Sequence, residues 1–153
     1  MHVPVMFSIM RASLARILPG TRVEIPLFLE GLCAGFPSPA DDYLDERIDL
    51  NETLVPNPPA SFLWRVSGNS MIEAGIYHGD LLLVDRSLTP VHGDVVVAIV
   101  NGERSLKRLH LDGDRPRLSF ENGSFPAYPL PELADVEIWG VARWNVHWLR
   151  PRR

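Results

Sequence analysis

The stretch Glu103–His110, E-R-S-L-K-R-L-H, contains Lys107, the one lysine in a chain whose other fourteen Lys and Arg residues are all arginine. Arginine keeps its proton at any accessible pH, whereas a lysine in apolar surroundings can release its proton and act as a base. Such a base needs a hydroxyl to activate. V-S-G-N-S-M, Val66 to Met71, places Ser70 directly after a Gly68-Asn69 turn. A serine delivered by that turn exposes its hydroxyl beside backbone N–H groups, the nucleophile and oxyanion cradle of an acyl-transfer site. Each feature also has an ordinary reading: Gly-Asn-Ser is a common turn, and sheet lysines snorkel to water.

The elements that would hold these residues are strands. From about Phe62 onward, Phe62–Val66, Leu81–Val84, Val95–Val100, Glu103–Leu111, Arg117–Phe120 and Val136–Trp148 are rich in apolar and β-branched residues. Asn101-Gly102 joins two of them as a two-residue hairpin. Gly79-Asp80 and Gly93-Asp94 open two others. Alternation places Lys107 on one face with Leu109 and Leu111, against a wetter face of Arg104, Arg108 and His110. Leu106 breaks that pattern. A lysine on the inward face is expensive unless paired or neutral.

The segment before Gly35 is patterned differently. Phe7, Met10, Leu14, Ile17 and Leu18 share a helical face that Pro19-Gly20 ends. The apolar run Ile25–Leu29 is interrupted by Pro26, and Gly31–Pro39 reads as extended. Ser38, Pro39 and Asp41 read as the start of a short helix reaching about Arg47. No internal repeat and no helix bundle is expected.

At 153 residues with 46% apolar and 22% charged content, the chain fits one globular domain. Its net charge of −4 argues against general nucleic-acid binding, despite the basic Arg150–Arg153 end. Cys33 is the lone cysteine and forms no internal disulfide. The histidines are scattered, and there is no metal-ligand spacing, phosphate loop or dinucleotide fingerprint. The G-x-S-x-G elbow of the α/β hydrolases is absent too. Val3–Met10 is too short to span a membrane and has the wrong flanks for a secretory signal, so the expectation is a cytoplasmic protein without cofactor or metal.

V-S-G-N-S-M-I, G-I-Y-H-G-D-L-L-L-V-D (Gly75 to Asp85), H-G-D-V-V-V-A (His92 to Ala98) and the Lys107 strand together resemble the LexA/UmuD family of self-cleaving proteins. G-F-P-S-P-A (Gly35 to Ala40) and R-I-D-L-N (Arg47 to Asn51) narrow the resemblance to the UmuD branch, over roughly Cys33 to the C-terminus. The resemblance implies a mainly β fold shared with signal peptidases and a Ser–Lys dyad. Ser70 would be the nucleophile and Lys107 its general base, with the amides of Asn69 and Ser70 as the oxyanion hole.

It also implies cleavage of the chain's own Ala34–Gly35 bond, with Leu32 anchored in an apolar pocket. That cut separates an arm, Met1 to Ala34, from a body that runs from Gly35 to Arg153. Ala-Gly is the bond typical of LexA-type repressors, whereas the UmuD branch uses Cys-Gly, and Cys33 lies one residue earlier. The expected organisation is a cleavable arm over 1–34, a linker with a short helix over 35–60 and a dyad domain over 61–153. The implied partners are a second copy of the chain, a RecA–single-stranded-DNA filament that stimulates cleavage, and a UmuC-type translesion polymerase. The competing reading, a LexA-like or phage-type repressor, requires a helix-turn-helix domain, and the segment before Gly35 carries no second amphipathic helix after a turn.

Overall fold

The computed structural model describes residues 22, 24–28, 44–112, 115–128 and 135–150. The N-terminal helical face, Cys33 and the Ala34–Gly35 bond lie outside them. Strands dominate, and every pairing is antiparallel. β1 (Glu24–Phe28) and β2 (Leu44–Asp49) form a two-stranded ribbon, followed by the five-residue helix α1 (Leu50–Leu54). β3 (Ser61–Arg65), β4 (Leu81–Asp85), β5 (Val95–Val100), β6 (Glu103–His110), β7 (Arg117–Ser119) and β8 (Val136–Val146) form a six-stranded sheet in the order β3-β4-β8-β5-β6-β7.

The helix expected to reach Arg47 is corrected here, because Leu44–Arg47 is strand. Pairing with β1 makes Leu44–Arg47 strand, whereas the capping residues Ser38, Pro39 and Asp41 lie outside the described residues; Pro26 is tolerated opposite Arg47 because a two-stranded ribbon leaves one side of each strand free of ladder bonds. The helix among the described residues at this point, α1, follows β2, with the Asp49 carboxylate accepting the Asn51 N–H at 2.9 Å.

The two Gly-Asp turns are one device used twice, a short repeat that the sequence reading did not register. In Tyr77-His78-Gly79-Asp80 the aspartate accepts the Tyr77 N–H at 2.9 Å, and in Val91-His92-Gly93-Asp94 it accepts the Val91 N–H at 2.8 Å. Gly79 N–H donates to Val66 O, and Gly93 N–H to Leu109 O. In both turns the histidine Nδ1 accepts a neighbouring backbone N–H at 3.1 Å, from Gly68 and Leu111 respectively. Both glycines sit near φ +90°, which favours glycine. The Asn101-Gly102 hairpin has positive φ at both residues, as its sequence predicts.

β8 holds the sheet together. Its first half pairs with β5 and its second half with β4, the two meeting at Val141. The registers leave one extra β8 residue on each side, Trp139 opposite β5 and Arg143 opposite β4. The first bulge turns Trp139 onto Phe62 and Trp64, at ring separations of 5.2 and 5.4 Å. The second turns Arg143 onto the buried Asp85 carboxylate at 3.3 Å. Burial alone would raise the Asp85 carboxyl, but bonds from Ser87 and Arg143 outweigh it and hold it below the usual range.

Alternation along β5 and β6 feeds two apolar clusters. Val96, Ala98 and Leu109 join Leu118 and Val141 in one, while Val97 and Leu106 join Met71, Ile76, Leu82 and Val84 in the other. Leu106, which breaks the strand pattern, is therefore core on its own side. Leu111 lies past the end of β6 and is exposed, so the predicted face stops at Leu109.

Gly140 lets β8 lie close against β4, since a Cβ there would stand 2.7 Å from Val84 Cγ1 and 3.3 Å from the Asp85 carbonyl oxygen. Gly140→Ala should lower stability by roughly 1–3 kcal/mol through overpacking. Urea unfolding of the variant beside Gly123→Ala, where the nearest atom is a movable glutamate oxygen at 3.3 Å, checks this.

Candidate functional site

Ser70 and Lys107 are held by different elements. Ser70 ends the Val66–Ser70 turn and is half-buried, next to Met71, which is 2% exposed and anchors the turn in the core. The turn is further held by the bond from Gly68 N–H to His78 Nδ1. Lys107 lies in β6 opposite Val96 and is 3% exposed. Its Nζ donates to Leu106 O at 3.2 Å and stands 4.6 Å from the ring centroids of both Phe120 and Tyr128. No carboxylate pairs with it among the described residues. The ring faces favour the ammonium, but burial disfavours it more and pulls the Lys107 pKa below the ordinary lysine value.

The segment after β7 links the two residues. Phe120 covers the Lys107 ammonium, and the next residue, Glu121, donates its N–H to Ser70 O at 2.9 Å. Glu121 O accepts from Glu73 N–H, and Asn122 Nδ2 donates to Asn69 O at 2.7 Å. Among the described residues no hydrogen bond joins Lys107 Nζ to Ser70 Oγ, and the connection between them runs through the Phe120–Asn122 segment. The N–H groups of Asn69 and Ser70 donate to no acceptor among the described residues, leaving both available to a ligand.

Beside Ser70 lies a cleft of about 270 Å³. Its apolar lining comes from Trp64, Val66, Met71, Leu82, Val97 and Leu106, and Arg65 and Arg104 also border it. The sequence singles out Ser70 and Lys107 but gives no comparable mark to Phe120, Glu121, Asn122 and His78, which touch their surroundings. Their partners lie ten or more residues away, beyond the reach of local patterns. The one available signal was the recurrence of H-G-D.

One trio of metal-ligating types converges among the described residues, His92, His110 and Asp112, with donor atoms within 4.8 Å of one another. Each is already engaged. His92 Nδ1 accepts from Leu111 N–H, His110 Nε2 bonds Ser119 Oγ at 2.8 Å, and Asp112 holds Arg117 through both oxygens. No helix among the described residues is long and apolar enough to cross a membrane.

Residues 26–143 match the Peptidase S24-like family, and the chain belongs to it. Its similarity extends to individual proteins. It is 48% identical to Protein MucA of Salmonella typhimurium over 119 residues, covering 77% of this chain and 81% of that protein. To Protein ImpA of Shigella flexneri it is 43% identical over 133 residues, covering 84% and 87% respectively. The LexA repressor of Clostridium acetobutylicum is 36% identical over 100 residues, 65% of this chain and 48% of that repressor. The likeness to the LexA/UmuD family seen in the motifs, and the mainly β fold, are thereby established.

A buried ammonium without a carboxylate destabilises the fold. Because the folded-state pKa is lowered, the unfolded chain holds more protons between that value and the ordinary 10.5. Native stability therefore rises with pH across this window, and below it the full penalty is present. Lys107→Met should raise stability at pH 7 by about 1 kcal/mol or more. The difference from the native protein should shrink as pH approaches 10.5, as read by urea unfolding at several pH values.

Proposed function

We propose that Ser70 and Lys107 are a catalytic pair that cuts the chain's own Ala34–Gly35 bond. The observation that carries this reading is the buried Lys107, which has no carboxylate partner among the described residues and a pKa lowered by burial, with the Phe120–Asn122 segment touching both it and the half-buried Ser70 turn. Neutral Lys107 takes the Ser70 hydroxyl proton as Oγ attacks the Ala34 carbonyl carbon. The amides of Asn69 and Ser70 receive the developing oxyanion. The Lys107 ammonium then returns the proton to the departing Gly35 amine, and water releases the acyl group.

The apolar cleft beside Ser70 suits Leu32, two residues before the cut, and the small Ala34 and Gly35 let an extended backbone approach the serine. An attached substrate has a high effective concentration, so modest binding suffices. The products are the arm ending at Ala34 and the body beginning at Gly35. In this reading the arm spans 1–34, a linker spans 35–60 and the dyad domain spans 61–153.

The chain acts in the cytoplasm as a UmuD-like SOS protein. A RecA–single-stranded-DNA filament stimulates the cut, and the shortened form, as a homodimer, serves a UmuC-type translesion polymerase. Membership in the Peptidase S24-like family and the similarity to MucA and ImpA support this assignment.

The test is intact mass after incubation of the purified full chain at neutral and alkaline pH, with and without RecA filament. The native protein should yield the product that begins at Gly35, faster as pH rises through a midpoint below 10.5, because the base must be neutral. Ser70→Ala, Lys107→Ala and Lys107→Arg should each slow cleavage by roughly 10³-fold or more. If native and variant chains all stay intact under every condition, the dyad reading is wrong and the protein acts as a binding partner alone.

A further inference from the structure

The two peptide planes that flank Ser70 are tied down by consecutive residues of one distant segment. Ser70 O accepts the Glu121 N–H at 2.9 Å, and Asn69 O accepts Asn122 Nδ2 at 2.7 Å. The orientation of the Asn122 amide is itself determined, because its Oδ1 accepts the Ser124 N–H at 2.9 Å and so leaves Nδ2 for Asn69. The neighbouring turn is closed by Gly123 N–H donating to Glu73 Oε1 at 2.8 Å.

A trans peptide is planar, with its C=O and N–H pointing in opposite directions. Fixing the Asn69 carbonyl therefore fixes the direction of the Ser70 N–H. That N–H has no acceptor among the described residues, and it belongs to the nucleophile itself. We propose that Asn122 is a positioning residue, which holds the Asn69–Ser70 peptide so that the Ser70 N–H faces the oxyanion formed during cleavage. The inference rests on the reading of Ser70 as nucleophile. It adds a specific side chain, distant in the chain, that presents the oxyanion donor without touching the substrate.

Asn122 and Lys107 act on different quantities. Lys107 sets the pH at which the base becomes available, whereas Asn122 sets how well the oxyanion is received once it forms. Loss of Asn122 should therefore lower the plateau of the cleavage rate against pH and leave its midpoint in place. Removing a whole oxyanion donor costs about 10²–10³-fold, and misaiming one costs less, about 10- to 100-fold.

The experiment measures first-order self-cleavage of the full chain by intact mass from neutral to alkaline pH. Native protein, Asn122→Ala, Asn122→Asp and Ser70→Ala are compared, with circular dichroism and urea unfolding on each. Asn122→Asp is isosteric and keeps the acceptor for Ser124 N–H, but it replaces the donor facing Asn69 O with a second acceptor. It carries the test should the alanine variant fail to fold.

A folded Asn122 variant with a plateau lowered at least tenfold and an unmoved midpoint supports the proposal. A folded variant that cleaves within twofold of native overturns it, as does a shifted midpoint with an unchanged plateau, which would place the effect on Lys107. A native protein whose cleavage is unaffected by Ser70→Ala overturns the dyad reading instead, so the two failures are distinct.

Discussion

A lysine 3% exposed, with no carboxylate partner among the described residues, is the constraint around which this part of the fold is organised. A stable fold gains nothing from such a group, since a methionine would fill the same space without losing hydration. The protein tolerates it by limited means: one backbone carbonyl and two aromatic faces. These soften the charge without outweighing burial, which lowers the Lys107 pKa. A carboxylate in the same place would have stabilised the ammonium and raised that pKa instead. Arginines carry ion pairs of the main sheet: Arg143 pairs with Asp85, Arg108 with Glu121 and Arg117 with Asp112.

The same constraint explains the reach of the Phe120–Gly123 segment. Lys107 in β6 and Ser70 on a turn after β3 belong to separate parts of the sheet, and neither strand can hold both. One short segment leaving β7 touches both sides: Phe120 covers the lysine, while Glu121 and Asn122 take the two carbonyls around the serine. Rigid supports of this kind determine whether a site is present in geometry as well as in composition. The repeated H-G-D turn contributes at a second point, because His78 holds Gly68 at the start of the serine turn as His92 holds Leu111 beyond β6.

The main sheet was legible because its strands carry their own punctuation. Val95–Val100 is read to the residue, and the other five strands to within two residues at each end, owing to β-branched runs bounded by Gly-Asp and Asn-Gly turns. Lys107 was placed on the inward face by alternation alone, and β6 shows it buried on the same face as Leu109. The β1–β2 ribbon was not legible. Pro26 argues against a strand, and the helix expected to reach Arg47 argues against Leu44–Arg47 being one; only the pairing of the two segments, which no local pattern contains, makes both strands. The two β8 bulges were hidden for a related reason, since an extra residue is defined only against a partner's register.

The distance between a low-pKa lysine and a working base bears on how such a site is regulated. Lys107 Nζ rests on Leu106 O and the two rings, while Ser70 Oγ has no bond to it among the described residues. Bringing them together exchanges one hydrogen bond for another and gives up cation–π contacts worth about 0.5–2 kcal/mol. Burial works in the opposite direction, since it favours the neutral amine that the closed dyad needs. In the proposed reading, a closed arrangement that differs from this one by only about 1–2 kcal/mol is one that a binding partner can favour. In the proposed reading a filament need contribute no catalytic group. Binding the closed arrangement about tenfold more tightly would shift the population by the same factor, at a differential of about 1.4 kcal/mol.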